Sequence, residues 1–456
     1  LALARKIPMQ YPRQIEIEPL AKLPCTSMRV PGSKSITNRA LVLAALTVSP
    51  EQRTVLDGAL YSEDTEVMIH SLRRLGISIA QSPEAYVQWV RFSGDADAEW
   101  PVALCVAKAA ANQLVPAANA ELFVANSGTS MRFLTAMVAL GHGRYRLDGV
   151  PRMRERPIGD LLDALNHLGV KAVSEFGNGF PPIVIDANGL PGGTVHIKGG
   201  TSSQFLSSLL MVAPFAQSDL SIEVEGTLVS APYVTMTVAM MRQFGLTISQ
   251  DRPDRFRVPA PQKPQPLERY AIEPDASAAS YFFGAAAITG GSITVSGLPM
   301  PGLQGDVHFV DMLERMGCSV ECAESALTVH GGRLRGIDVD MNDISDTVMT
   351  LGVVACFAEG PTTIRNVAHI RHKETDRLSA LAAELRRIGA DVVERADGLT
   401  ITPAPLHGAT IATYNDHRMA MSLALVGLKI PGIVIDDPAC VAKTYPRFFE
   451  DLERLR

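Results

Sequence analysis

Residues 201–212 read Thr-Ser-Ser-Gln-Phe-Leu-Ser-Ser-Leu-Leu-Met-Val, and the fold of the whole chain follows from how this stretch is read. The small polar residues at its start are the kind that satisfy the unpaired N–H groups of a helix entry. The remainder, Phe205-Leu-Ser-Ser-Leu-Leu-Met-Val212, is apolar on nearly every side, and a helix apolar all round is buried all round. A strand-like run follows, Ile222-Glu-Val-Glu225, and then a second helical stretch that stops on Phe244-Gly245. The same sentence is written six times along the chain. Its other openings are Gly32-Ser33-Lys34-Ser35, Asn126-Ser127-Gly128-Thr129, Asp275-Ala276-Ser277, Ser345-Asp346-Thr347 and Asn415-Asp416-His417-Arg418. Its other stops are Leu75-Gly76, Leu168-Gly169, Met316-Gly317 and Ile388-Gly389. By subtraction, the five glycines are 93, 76, 72 and 72 residues apart. A sixth copy, residues 444–455, ends before its glycine. Internal repetition of this kind fixes architecture before any single motif does.

The second helices differ from the first. Arg377-Leu-Ser-Ala-Leu-Ala-Ala-Glu-Leu-Arg-Arg387 carries its apolar residues at i, i+3 and i+4, the mark of a surface helix packed on one side. Strand-like runs such as Ser292-Ile-Thr-Val-Ser296 and Leu399-Thr-Ile-Thr402 lie between. The expected fold is α/β, with six βαβαββ units in two domains of three, each having buried parallel helices and solvated sheets. Residues 250–270, rich in Pro and charge, read as the seam. Because residues 1–33 precede the first full unit, they are expected to join 273–456 in one discontinuous domain. Residues 34–272 then form an inserted domain, with the active site in the cleft between the two.

Hydrophobic residues make up 46% of the 456 and charged residues 20%, which suits a globular protein. The net charge of −6 gives no global basic field for nucleic acid or a membrane surface, so any anion site must be a local gathering of Lys and Arg. The six cysteines include no CxxC pair, and Cys318 and Cys322 lack partners at zinc spacing, so they read as reduced thiols rather than metal ligands. Residues 1–13 are basic but have no apolar core of signal-peptide length, and no apolar run reaches membrane-span length. A cytoplasmic protein is expected.

Cations recur at helix starts. Val30-Pro-Gly-Ser-Lys-Ser-Ile-Thr-Asn-Arg39 resembles a phosphate loop, but Ser33 between Gly32 and Lys34 breaks the GxxxxGK[ST] spacing. Its physical logic remains, since free N–H groups beside Lys and Arg make an anion site. Arg152, Arg154 and Arg156 precede another helix, as do Lys373 and Arg377, Arg418, and Lys443. One charged turn is usually a solvated face. Five at equivalent places in a repeat point to a ligand with several anionic groups. Ser202, Ser203, Gln204 and Ser230 add neutral hydrogen-bonding groups. Asp346 and Glu374 are the acid–base candidates, although Asp346 could be a plain helix cap and Glu374 a structural ion pair with Lys373 or Arg377. No GxSxG elbow and no GxGxxG after a strand is present, so serine-hydrolase and hydride chemistry lack support.

With PGSKSITNRA, NSGTSMRFL, PRMRERPIG, SSQFLSSLL, LVSAPY, DASAASYF, DTVMT, HKETDR, YNDHRMAM and DPACVAKTYP in that order, essentially the whole chain resembles the 5-enolpyruvylshikimate-3-phosphate synthases of the enolpyruvyl transferase family. The resemblance implies transfer of the enolpyruvyl group of phosphoenolpyruvate to the 5-hydroxyl of shikimate 3-phosphate by a monomer, with no metal or organic cofactor. It implies that shikimate 3-phosphate is held by Lys34, Ser35, Arg39, Ser202, Ser203, Gln204, Ser230, Asp346 and Lys373. Phosphoenolpyruvate would meet Lys34, Gly128, Arg156, Gln204, Arg377, Arg418 and Lys443, with Tyr233, Asn126 and Thr129 of second rank. Asp346, Glu374 and Lys34 would be catalytic, with the proton-transfer roles of Glu374 and Lys34 undivided.

Two positions depart from the resemblance: His369 stands where many relatives carry Asn, and Phe133 where many carry Pro. Phe133 could alter how the Gly128 loop closes, and with it sensitivity to glyphosate, the family's phosphoenolpyruvate-competitive inhibitor. Gly128→Ala is expected to weaken glyphosate more than phosphoenolpyruvate. The related UDP-N-acetylglucosamine enolpyruvyl transferases typically have Lys-Asn where this chain has Lys34-Ser35, and a loop Cys in a region (141–156) that here has none. A non-catalytic anion-binding scaffold would keep the cations but have no use for Asp346 and Glu374.

Overall fold

The computed structural model describes residues 11–49, 51–81, 102–108 and 113–456, so most of the basic N-terminal stretch lies outside the described residues. The chain divides into two compact units, one of residues 31–274 and one of residues 1–30 with 275–456.

Among the described residues, six small sheets carry the repeat. In a four-stranded sheet of the 31–274 unit, Asn119–Phe123 runs parallel to His142–Asp148, and Ile183–Asn188 then pairs antiparallel with both His142–Asp148 and Lys171–Ser174. Gly193–Lys198, Leu220–Glu225, Arg255–Val258 and Ser249–Arg252 repeat that order. In the third sheet the first strand comes last in sequence: Arg269–Ala271 lies parallel to Arg53–Ala59, beside Val102–Lys108 and Ile77–Gln81. The Pro-rich stretch is therefore built into two sheets. The units part only after Pro274, because Arg269–Ala271 is needed to finish the first sheet.

The other unit uses the N-terminus in the same way. Cys25–Met28 is the parallel first strand beside Ser292–Ser296, and Gln14–Ile17 closes a three-stranded sheet with Ile433–Asp436 and Thr410–Ile411. Its remaining sheet is Asp338–Asp340, Thr362–Arg365, Gly398–Thr402 and Asp391–Arg395.

Each unit has three helices buried on nearly all sides. In the unit completed by the N-terminus they are Ala276–Thr289, Val348–Ala355 and His417–Gly427. Small residues let them approach: a Cβ on Gly284 would lie 2.9 Å from Thr350 Cγ2 and 3.2 Å from Leu425 Cδ1. Hydroxyls link the three, Ser280 to Thr350 at 3.0 Å and Thr350 to Ser422 at 3.3 Å. Buried hydroxyls need such partners. In the 31–274 unit the corresponding helices are Lys34–Thr47, Gly128–Val138 and Ser203–Val212, entered through the side-chain caps Ser33, Ser127 and Ser202.

Candidate active site

In the 31–274 unit, the helix starts bring the predicted residues together. Lys34, partly exposed, is the first residue of its helix and Gly128 of the next, while Ser202 caps the third and accepts the Gln204 N–H at 3.2 Å. The Gln204 amide reaches Thr129 Oγ1 at 3.4 Å. Buried Arg156 donates from Nη1 to the Asn126 carbonyl at 3.0 Å and its side-chain oxygen at 3.3 Å. Ser203 opens the helix that Ser202 caps. Ser230 precedes helix Ala231–Gln243 in the left-handed region, at φ 52°, an uncommon conformation for a residue with a side chain.

Arg39 lies deeper. Its Nε donates to Thr237 Oγ1 at 2.7 Å, Nη1 to the Ser35 carbonyl at 3.0 Å, and Nη2 to Ser207 Oγ and the Tyr233 carbonyl at 3.4 and 3.2 Å. The Phe133 ring is 5.1 Å from the guanidinium, within cation–π range. Burial pushes Arg39 down to about 10, still fully charged at neutral pH. Phe133 is thus a buried support for Arg39, a contact no sequence pattern announces.

Gly128 and Arg156 leave no room for a methyl group between them. A Cβ on Gly128 would collide with Arg156 Nη2 and lie 2.8 Å from its Cζ. Gly128→Ala must therefore displace the Arg156 guanidinium. If Arg156 meets phosphoenolpyruvate as the resemblance implies, initial-rate kinetics on this variant are expected to show the KM for phosphoenolpyruvate rising severalfold, and an unchanged KM would remove Arg156 from that role.

The unit completed by the N-terminus holds a mesh of alternating charge. Asp346 pairs with Arg377 Nη1 at 3.1 Å and Arg418 Nη2 at 2.7 Å. Glu374 accepts from Arg377 Nη2 at 2.8 Å and Lys443 Nζ at 3.1 Å. Asp416 takes Arg377 Nε at 2.8 Å and caps helix His417–Gly427 by accepting the Arg418 N–H at 2.9 Å. Arg418 also donates to the Tyr281 hydroxyl at 3.3 Å. Three cations and three carboxylates interleave here. The pairing aims the guanidiniums before any ligand arrives.

Asp346 is not a helix cap. It lies in the 3-10 turn Asn342–Thr347, and Thr347 occupies the cap position of the helix behind it. Lys373 ends the 3-10 turn Ala368–His372, which contains buried His369. Burial first, and then the Lys373 charge, pushes the His369 imidazole down to about 3, so it is neutral at physiological pH.

A family model described as EPSP synthase (3-phosphoshikimate 1-carboxyvinyltransferase) matches residues 22–452. The chain belongs to the EPSP synthase family. A 3-phosphoshikimate 1-carboxyvinyltransferase from Trichormus variabilis is 49% identical over 425 residues, which cover 93% of this chain and 94% of that one. One from Nostoc punctiforme is 47% identical over 446 residues, covering 96% and 99%. A solved EPSP synthase from Acinetobacter baumannii has the same fold, with a TM-score of 0.75 over 97% of this chain and 98% of its own at 24% identity.

In this EPSP synthase family member, sequence reading overlooked Asp306, Tyr281 and the partner role of Asp416. Asp306 is buried in the 3-10 turn Gly305–His308, accepts a hydrogen bond from Ser277 and feels the charges of Asp346 and Arg418. Burial, and then the negative Asp346, push its carboxyl up to about 6. The folded chain thus binds this proton more tightly than the unfolded chain, whose carboxyl titrates near ~3.9. Asp306 favours folding below the unfolded value, and that contribution is lost as pH rises through about 6. Asp306→Asn is expected to melt at a higher temperature than the parent at pH 8, with the gap closing by pH 4. A gap equal at both pH values would refute the linkage.

Among the described residues no helix is long and apolar enough to cross a membrane.

Proposed function

We propose that this chain transfers the enolpyruvyl group of phosphoenolpyruvate to the 5-hydroxyl of shikimate 3-phosphate, releasing phosphate, as a cytoplasmic monomer that needs no metal or organic cofactor. The observation that carries the mechanism is the mesh in which Asp346 is held by Arg377 and Arg418 while Glu374 is held by Arg377 and Lys443. Each carboxylate is held by two cations, Asp346 by two guanidiniums and Glu374 by a guanidinium and an ammonium.

Shikimate 3-phosphate would be bound by Lys34, Ser35, Ser202, Ser203, Gln204, Ser230, Asp346 and Lys373. Arg39 uses four of its five N–H groups on Thr237, Ser207, Ser35 and Tyr233. Its main contribution is to fix those elements, with one Nη1 hydrogen left for an oxygen of the acceptor. Phosphoenolpyruvate would be held by Lys34, Gly128, Arg156, Gln204, Arg377, Arg418 and Lys443. Both sets of side chains would serve the one reaction.

In the addition step the 5-hydroxyl oxygen bonds to C2 of phosphoenolpyruvate while the C3 methylene gains a proton. Asp346 would take the hydroxyl proton. Glu374 or Lys34 would protonate C3. Glu374 is placed by its ion pairs with Arg377 and Lys443, the cations that would meet the phosphoenolpyruvate anion. In the elimination step C3 returns a proton, the C2–O bond to phosphate breaks, and phosphate leaves. Arg156, Arg377, Arg418 and Lys443 would stabilise both anionic groups of the tetrahedral intermediate.

The deciding experiment follows phosphate release from phosphoenolpyruvate with and without shikimate 3-phosphate, and with UDP-N-acetylglucosamine as the alternative acceptor. Release is expected only with shikimate 3-phosphate. Release without an acceptor, or with the nucleotide sugar, would overturn the acceptor assignment.

A further inference from the structure

We propose that Glu384, acting through Tyr414, is a positioning residue for the two arginines of the charged mesh, an inference that rests on the function proposed above. Residues 412–416 lead into helix His417–Gly427, and two of them in succession are left-handed, Tyr414 at φ 55° and Asn415 at φ 52°. Residues with side chains rarely visit that region as neighbours. They stay there only where their surroundings over-determine the backbone.

The restraint comes from Glu384, a completely buried carboxylate. Its Oε2 accepts the Ala412 N–H at 3.1 Å and its Oε1 accepts the Tyr414 hydroxyl at 2.8 Å. Arg387 Nε, at 2.9 Å from Oε2, supplies the counter-charge. The turn also closes on itself, the Asp416 N–H donating to the Thr413 carbonyl at 2.9 Å.

Glu384 lies on helix Arg377–Arg387, two turns beyond Arg377 and so on the same face. One helix therefore grips the loop at both ends, Glu384 on Ala412 and Tyr414, and Arg377 on Asp416 through Nε and Nη2 at 2.8 and 3.2 Å. The loop's path sets where the Asp416 carboxylate lies. Asp416 in turn orients the Arg377 guanidinium and the first turn that carries Arg418. Glu384 touches no reacting atom; it acts through the loop.

The test is Tyr414→Phe, which deletes one hydroxyl from a ring that is 41% exposed and so leaves the core intact. The phosphoenolpyruvate KM is expected to rise roughly threefold to tenfold, the scale of one ordinary net hydrogen bond, because the lost bond acts on the arginines only through the loop. The shikimate 3-phosphate KM and the melting temperature should stay at parental values. Glu384→Ala should raise the phosphoenolpyruvate KM further, and Glu384→Gln, which keeps an oxygen for Ala412, should restore most of it. An unchanged phosphoenolpyruvate KM in Tyr414→Phe, or both KM values rising with a lowered melting temperature, overturns the proposal. Failure of the parent chain to release phosphate would strike the proposed function instead.

Discussion

Asp346→Ala is expected to lower kcat about 10²–10⁴-fold, the range contributed by a positioned acid–base group, while shikimate 3-phosphate still binds. Both oxygens of Asp346 are engaged, Oδ1 by Arg377 and Oδ2 by Arg418. These contacts fix the carboxylate in place. Truncation removes one negative charge from beside two buried guanidiniums. An arriving anion then meets a stronger positive field, so the phosphoenolpyruvate KM should hold or fall as kcat collapses. Single-turnover rates and a binding titration separate the two effects. Normal turnover would end the catalytic assignment, and loss of shikimate 3-phosphate binding in step with kcat would recast Asp346 as structural.

The second large effect concerns stability. Arg377 is buried at the centre of Asp346, Glu374 and Asp416, and these carboxylates hold it well above its ordinary proton affinity against the cost of burial. Removing one partner of a buried pair leaves uncompensated charge and typically costs about 3–5 kcal/mol. Arg377→Ala leaves three carboxylates short of a cation at once. For a unit of this size the loss corresponds to a fall of roughly 6–20 °C in melting temperature. Arg377→Lys should recover little, because one ammonium cannot span the Nε, Nη1 and Nη2 directions that the three acids occupy. Melting curves of both variants check this, and a fall of only a degree or two in Arg377→Ala would show that the mesh adds no net stability.

The repeat was legible because its signals are local. Ser33, Ser127, Ser202, Asp275 and Asp416 each cap a buried helix with a side-chain oxygen, and the apolar run behind each cap admits only a buried reading. Cations at helix starts were visible for the same reason. Of their partners only the neighbour was legible, Glu374 three positions from Arg377; Arg377 meets Asp416 39 positions away and Arg418 meets Asp346 72 positions away, and no spacing rule links such pairs. The sequence therefore suggested converging cations, where the structure has cations already interleaved with acids.

At residues 345–347 the sequence leaves a plain helix cap open beside the acid–base role of Asp346. Ile344, at φ −125°, kinks the segment, so that a 3-10 turn precedes the helix and Asp346 faces the arginines instead. The Pro-rich stretch read as a seam because alternating charge obscures short strands. Arg255–Val258 buries only every second residue, so charged side chains fit its open face.

The helix starts carry one more consequence. Arg418, in the first turn of its buried helix, bonds both Asp346, just before the buried helix Val348–Ala355, and the Tyr281 hydroxyl in the second turn of helix Ala276–Thr289, so the N-terminal parts of these helices approach one another. The chain as a whole carries −6. The local field there is set by buried groups, the helix dipoles and the arginines together with the carboxylates paired to them, and solvent screens it from surface charges. Overall charge and the field at this buried mesh are therefore separate variables: the surface can become more acidic or more basic, as solubility or salinity demands, without resetting the arrangement of the buried charges.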